Sequence, residues 1–227
     1  VHGVLVVTSY KCYANPPGCT RRFVEGDPLG GADPYSSSKA CAELVAASYA
    51  DSGALRIATA RAGNVIGGGD WGADRIVPDA VRAVEAGEEL LVRSPASIRP
   101  WQHVLSALDG YLAICEGLLT GAPVDRPWNL GPPERDERPV SWIVERLAEL
   151  WGGELRWRTD TAPSGAGEAA RLALDSSAAE RELGWRPACS LQEALRLVVE
   201  WQRAQLRGAD ARALTLEQIA AARRPLA

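Results

Sequence analysis

A chain of 227 residues, 46% hydrophobic and 24% charged, can bury one sizeable core, or a domain plus a small lobe. Its net charge of -4 and pI of about 5.4 argue against a general binder of nucleic acid or anionic membrane, since neither polyanion would be attracted. No apolar run approaches the roughly 18 residues that a bilayer span needs, and the opening VHGVLVVTS lacks the basic region and cleavage site of a secretory signal, so a cytoplasmic location is expected.

In chain order, Val4–Thr8 reads as a buried strand, a short β-branched run followed by polar residues. Pro16, Pro17 and Gly18 mark a loop. Pro34 suits the first turn of a helix running to about Ser52 and stopped near Gly53. Leu55–Arg61 is a second strand, leading into a glycine-rich loop over Ala62–Gly72. Asp74–Ala86 is a helix closed by Gly87, Glu89–Arg93 a strand, His103–Thr120 an apolar helix and Trp128–Leu130 a third buried strand. Val140–Trp151 is amphipathic, with Ile143, Leu147 and Leu150 on one face. Two Ser-x-x-Glu boxes, Ser177–Glu180 and Ser190–Glu193, predict helix starts, the second opening a helix to Leu206. Strands alternating with helices imply a parallel sheet in an α/β layer fold.

The five cysteines (Cys12, Cys19, Cys41, Cys115, Cys189) are an odd number without C-x-x-C spacing, which favours reduced thiols over zinc or a disulfide framework. The sequence contains no Met and opens directly on a β-like run. The expectation is a protein incomplete at its N-terminus.

The chemistry centres on DPYSSSK, Asp33–Lys39. Tyr35 and Lys39, four residues apart, share one helix face. An ammonium beside a phenol favours the phenolate, so such a pair can take and return a proton from a hydroxyl. The spacing alone is common by chance, and a surface Lys beside a half-buried Tyr is the plain alternative. Its context is more specific: a strand ending in Thr8–Ser9, a loop, the Tyr-x-x-x-Lys helix, then a strand leading into Ala62-Gly63-Asn64. This order resembles the second half of an extended short-chain dehydrogenase/reductase. The blocks VTSYKCY (Val7–Tyr13), DPYSSSKACAE (Asp33–Glu43), RAGNVIGGGDWGADRIVPD (Arg61–Asp79) and IRPWQHV (Ile98–Val104) resemble the CDP-glucose 4,6-dehydratases in particular.

That resemblance implies the C-terminal portion of a Rossmann-like doubly wound parallel sheet plus a smaller α/β substrate-binding lobe. Residues 1–64 and about 125–150 would form the cofactor side, and 65–124 with 151–227 the lobe. It implies NAD as cofactor, a nucleotide-sugar substrate and a homodimer paired through the Tyr35 helix. The family oxidises the sugar at C4, eliminates water across C5–C6 and returns the hydride to C6. By resemblance, Tyr35 is the base at O4, Lys39 its electrostatic partner and Ser9 a ligand of O4. Lys11 stands where the family places the group acting at C5. Tyr35, Lys39 and Ala62 would meet the cofactor, and Asn64 and Arg99 the diphosphate, with Arg75 in the same nucleotide region.

Two departures stand out. The family's acid, which protonates the departing C6 hydroxyl, is replaced by Tyr10, a weaker and bulkier proton donor. Around Glu168 the family's histidine and tyrosine are missing from Gly165–Asp175, so lost ligand contacts are expected there. His103 is better explained by a structural hydrogen bond at a helix start than by catalysis. Gly67–Gly69 lacks the G-x-G-x-x-G order of a phosphate cradle and reads as a loop near the substrate. The cradle itself belongs on the first strand–helix turn of such a fold, in an expected upstream portion on the order of 120 residues. A non-catalytic nucleotide-sugar binder or associating subunit, and an epimerase or reductase needing no acid at position 10, remain the competing readings.

Overall fold

The computed structural model describes residues 1–53, 55–160 and 169–222. Its elements run β1 (Val4–Val7), α1 (Pro34–Asp51), β2 (Ile57–Ala62), β3 (Asn64–Ile66), α2 (Ile76–Ala86), β4 (Glu89–Val92) and β5 (Ile98–His103). They continue with α3 (Val104–Thr120), β6 (Pro127–Leu130), β7 (Glu137–Pro139), α4 (Val140–Leu150), β8 (Arg156–Thr159), α5 (Ser177–Glu182), α6 (Leu191–Leu206) and α7 (Ala211–Ala222).

The first layer is a parallel sheet in the order β1–β2–β6, with Val6 opposite Thr59 and Ala60 opposite Trp128. Every residue of β2 is buried, as expected of a central parallel strand covered on both faces. Its alternation divides the work. Ala58 and Ala60 pack with Ile114 and Leu118 of α3 and with Trp128 and Trp185, while Thr59 and Arg61 turn to Glu43 of α1. α3, expected in the substrate-binding lobe, therefore lies on this sheet.

The second apolar cluster joins α2, α4 and α6 through Val77, Val81, Ile143, Leu147, Trp151, Leu195 and Val198. Burying such side chains contributes roughly 1.5–3 kcal/mol each. The amphipathic face of α4, expected on the cofactor side, is buried here. Around this cluster stand β4–β8, a parallel pair, and β3–β5–β7, parallel then antiparallel.

The structure corrects the sequence reading at several places. The glycine-rich loop contains β3, and Ile98–His103, not read as an element, forms strand β5, with Pro100 paired to Glu137 of β7. The helix expected from Asp74 starts at Ile76. The first Ser-x-x-Glu box does not form. The cap of α5 is Ser176, whose hydroxyl accepts from Gly131 N–H at 2.8 Å instead of from its own helix. At α6 the Ser190 hydroxyl does accept from Glu193 N–H at 3.3 Å, but the Glu193 carboxylate pairs with Arg196, so half the box forms. β7, β8 and α7 had no counterpart in the sequence reading.

Candidate active site

β1 and β2 end side by side. Just beyond β1, Ser9 caps a tight 3-10 turn over Tyr10–Cys12, its hydroxyl accepting from Lys11 N–H at 3.2 Å. The turn brings Lys11 back toward α1. That helix starts at Pro34 because Asp33 caps it, accepting from Ser36 N–H at 2.9 Å and the Ser36 hydroxyl at 2.6 Å. These Ser36 hydrogen bonds hold the Asp33 carboxyl below its usual range. Tyr35 is thereby set in the first turn, half exposed. Two ammonium groups flank its ring, Lys11 Nζ at 5.8 Å and Lys39 Nζ at 5.7 Å from the centroid.

Past β2 the chain crosses from the first sheet to the second at Gly63. A methyl group there would land on the carbonyl oxygen of Pro100, so only glycine lets β2 run directly into β3. Gly63 N–H still reaches back to Leu130 carbonyl at 3.2 Å. Asn64, the first residue of β3, accepts a hydrogen bond from the Tyr10 hydroxyl. Arg99 in β5 is buried and donates to the Ile98 carbonyl at 2.8 Å. Arg75 is more exposed and pairs with both carboxylate oxygens of Asp70.

Between the two sheets lies a cleft of about 1110 Å³. Ser9, Tyr10, Lys11, Tyr35, Ala62, Asn64, Arg75 and Arg99 all line it. Lys39 does not, standing one helical turn behind Tyr35. Gly67 also lines the cleft, but its neighbour serves packing: a methyl group on Gly68 would strike the ring of Trp201. The glycine run is therefore fitted to an indole. Glu168 and residues 161–168 lie outside the described residues. The following stretch is buried at Leu172–Leu174 against Tyr10, Tyr13 and Phe23.

His103 Nδ1 accepts from Leu105 N–H at 3.3 Å, capping α3. Burial depresses its pKa to about 4, so the ring is neutral, in keeping with a structural role.

Sequence reasoning missed the polar network beneath the site. The Glu43 carboxylate on α1 accepts from the hydroxyls of Thr8 and Thr59 and from Arg61 Nη2 at 2.7 Å. Arg61 Nη1 donates to the Tyr13 hydroxyl at 2.8 Å and the Glu25 carbonyl at 2.9 Å, and Tyr13 donates to Asn129 at 2.6 Å. Tyr13 stacks on Phe23 with centroids 4.9 Å apart. Burial raises the Cys12 thiol in this layer to about 12, so it stays protonated and inert. A charged residue inside the strand run LRIATAR was the available signal, because a buried Arg requires a partner. A second buried carboxylate, Glu137, is gripped by Arg22 at 2.9 Å and Arg171 at 2.8 Å. Burial still raises its pKa against both cations.

The description of the NAD dependent epimerase/dehydratase family fits residues 1–131. The chain belongs to this family. Within it, CDP-glucose 4,6-dehydratase of Salmonella typhimurium is 42% identical over 224 residues, covering 92% of this chain and 61% of that protein. A dTDP-glucose 4,6-dehydratase of Streptomyces griseus is 26% identical over 182 residues, covering 79% and 52%. The solved dTDP-glucose 4,6-dehydratase of Bacillus anthracis in complex with NAD superposes with a TM-score of 0.75 at 25% identity, over 93% of this chain and 64% of that one. UDP-glucuronic acid 4-epimerase from Bacillus cereus shares the fold, with a TM-score of 0.77 at 18% identity over 89% and 61%. The chain thus spans between about half and two thirds of the length of these relatives. Its mixed α/β fold with the parallel sheet β1–β2–β6 is the Rossmann-like fold of these NAD-dependent relatives. No described helix is long and apolar enough to cross a membrane.

Proposed function

We propose that the cleft binds a nucleoside-diphosphate sugar, CDP-glucose by preference, and that this chain carries the sugar-facing side of a 4,6-dehydratase site. The observation that carries the reading is the gathering of Ser9, Lys11, Tyr35, Asn64 and Arg99, far apart in sequence, around one cleft. The 42% identity to a CDP-glucose 4,6-dehydratase favours the cytidine nucleotide.

In this reading Ser9 holds the sugar O4 and Tyr35 takes its proton, with the ammonium groups of Lys11 and Lys39 placing positive charge beside the ring. Lys11, by its likeness to the family, would also act at C5. Asn64 and Arg99 bind the diphosphate, a task suited to an amide N–H and a guanidinium. Arg75 exchanges Asp70 for the nucleotide. Tyr35, Lys39 and Ala62 fit the ribose end of a nicotinamide dinucleotide, which when bound supplies the hydride acceptor and donor. The described residues provide no pyrophosphate cradle, since the Gly67–Gly69 run is fitted to Val104 and Trp201.

Exposed Leu44, Val45 and Tyr49 on α1 support a homodimer through that helix, which sedimentation tests. The bond from Tyr10 to Asn64 favours one second reading, a nucleotide-sugar binder without dehydratase turnover, because the acid position is occupied by a phenol already donating elsewhere. Calorimetric titration with CDP-glucose and dTDP-glucose tests the proposal. Tighter binding of CDP-glucose is expected; equal or reversed affinities overturn the assignment.

A further inference from the structure

Tyr10 stands where an acid would deliver a proton to a leaving hydroxyl, yet its surroundings give it a different task. Its side chain is buried, 5% exposed, within the layer of Cys12, Tyr13, Phe23, Leu172 and Leu174. The residue also lines the cleft, and its hydroxyl donates to Asn64 Oδ1.

A side-chain amide has one acceptor atom and one donor atom, and nothing in its own torsion decides which faces a ligand. Here the amide is turned with Oδ1 toward the Tyr10 hydroxyl, which donates to it. With Oδ1 held by the Tyr10 hydroxyl, Asn64 can offer a ligand its two Nδ2 hydrogens. These suit the oxygens of a diphosphate or a sugar hydroxyl. The backbone leaves Asn64 little other freedom, for it is paired with Trp101 in the β3–β5 ladder and follows the glycine that cannot carry a side chain.

We infer that Tyr10 is a positioning residue that fixes the amide orientation of Asn64, so that the cleft presents a hydrogen-bond donor to an anionic or hydroxyl-bearing ligand. The inference rests on the nucleotide-sugar reading of the cleft. It also removes Tyr10 from proton delivery. Giving up its proton to a departing hydroxyl would break the bond to Asn64 and leave two oxygen acceptors facing each other.

The test is a double-substitution cycle on the 227-residue chain, read by calorimetric titration with CDP-glucose. Tyr10→Phe removes only the hydroxyl and keeps the buried ring, so the layer around it stays packed. Affinity is expected to fall about fivefold. Asn64→Ala is expected to lower it about tenfold, and adding Tyr10→Phe to Asn64→Ala to cost nothing further, the signature of two groups acting as one. Asn64→Asp keeps the acceptor for Tyr10 but deletes the donors and adds a negative charge, so it should bind more weakly than Asn64→Ala. Unchanged affinity in Tyr10→Phe, or losses that simply multiply, overturns the positioning role while leaving the nucleotide-sugar reading intact. Failure of the unsubstituted chain to bind CDP-glucose at millimolar concentration overturns both.

Discussion

The carboxylate of Glu43 and the guanidinium of Arg61 meet at 2.7 Å with side chains 1% and 3% exposed. The pair links α1 to β2, two helical turns behind Tyr35. Substituting Glu43→Gln keeps the shape but leaves the Arg61 charge uncompensated in a buried layer. Breaking such a pair from one side costs about 3–5 kcal/mol. Urea unfolding should show that loss, and Glu43→Gln combined with Arg61→Met should recover part of it. A loss under 1 kcal/mol in the single variant would mean that the pair is hydrated.

His103 gives the chain a pH dependence of defined sign. Its folded pKa, about 4, lies below the ordinary 6.5 because burial penalises the charged ring. Between those values the unfolded chain binds the proton and the folded chain does not. Stability is therefore full above pH 6.5, falls as pH drops toward 4 and levels off below, by on the order of 3 kcal/mol in all. Comparing melts of the unsubstituted chain and His103→Asn across pH 4–7 isolates this slope. Asn can still cap α3 but does not titrate, so parallel curves would refute the assignment.

At Gly68 the expected defect is steric. Gly68→Ala drives a methyl group into the Trp201 indole, whose Nε1 donates to Thr215 of α7 at 3.1 Å. Overpacking of this kind costs about 1–3 kcal/mol. Guanidinium unfolding should register it, and Gly68→Ala in a Trp201→Leu background should cost less. Equal penalties in both backgrounds would show that the indole is not the obstacle.

In the proposed reading, Tyr35, Lys39 and Ala62 would meet only the ribose end of a dinucleotide. In this fold class much of its affinity comes from backbone N–H groups at a helix N-terminus around the pyrophosphate. Contacts at the ribose end alone do not offset the freedom lost on binding. Titrating NAD into the 227-residue chain should give no saturation below about 1 mM, roughly -4 kcal/mol. Micromolar saturation would reveal a cradle built from residues with no such role here.

The parts of the fold that were legible are those where local chemistry and tertiary structure agree. The run VLVV, the Pro34 start and Gly53 stop of α1, and the Ser190 cap of α6 each announce one outcome. β3 was hidden because three residues, Asn64–Ile66, carry no period. β5 was hidden because Ile98–His103 contains Arg, Pro, Gln and His, which its neighbours bury, so the strand shows no apolar alternation. The Ser177 box misled because a distant partner, Gly131, took the neighbouring hydroxyl of Ser176. Residues of the cleft were named from their likeness to a family, yet the layer beneath them was not. Glu43 looks like one more helix carboxylate until β2 brings Arg61 under it.

The two walls of the cleft are joined through a position that tolerates no side chain. Gly63 ends the β1–β2–β6 sheet against the Pro100 carbonyl of the other wall, and the Gln102 side chain, one turn of the pleat further along β5, is tied to the same Leu130 carbonyl that receives Gly63 N–H. The angle between the walls is thus held by the backbone contact at Gly63 together with the Gln102 side chain. A larger or smaller ligand would therefore be accommodated by the lining residues or the loops at the rim rather than at the crossing.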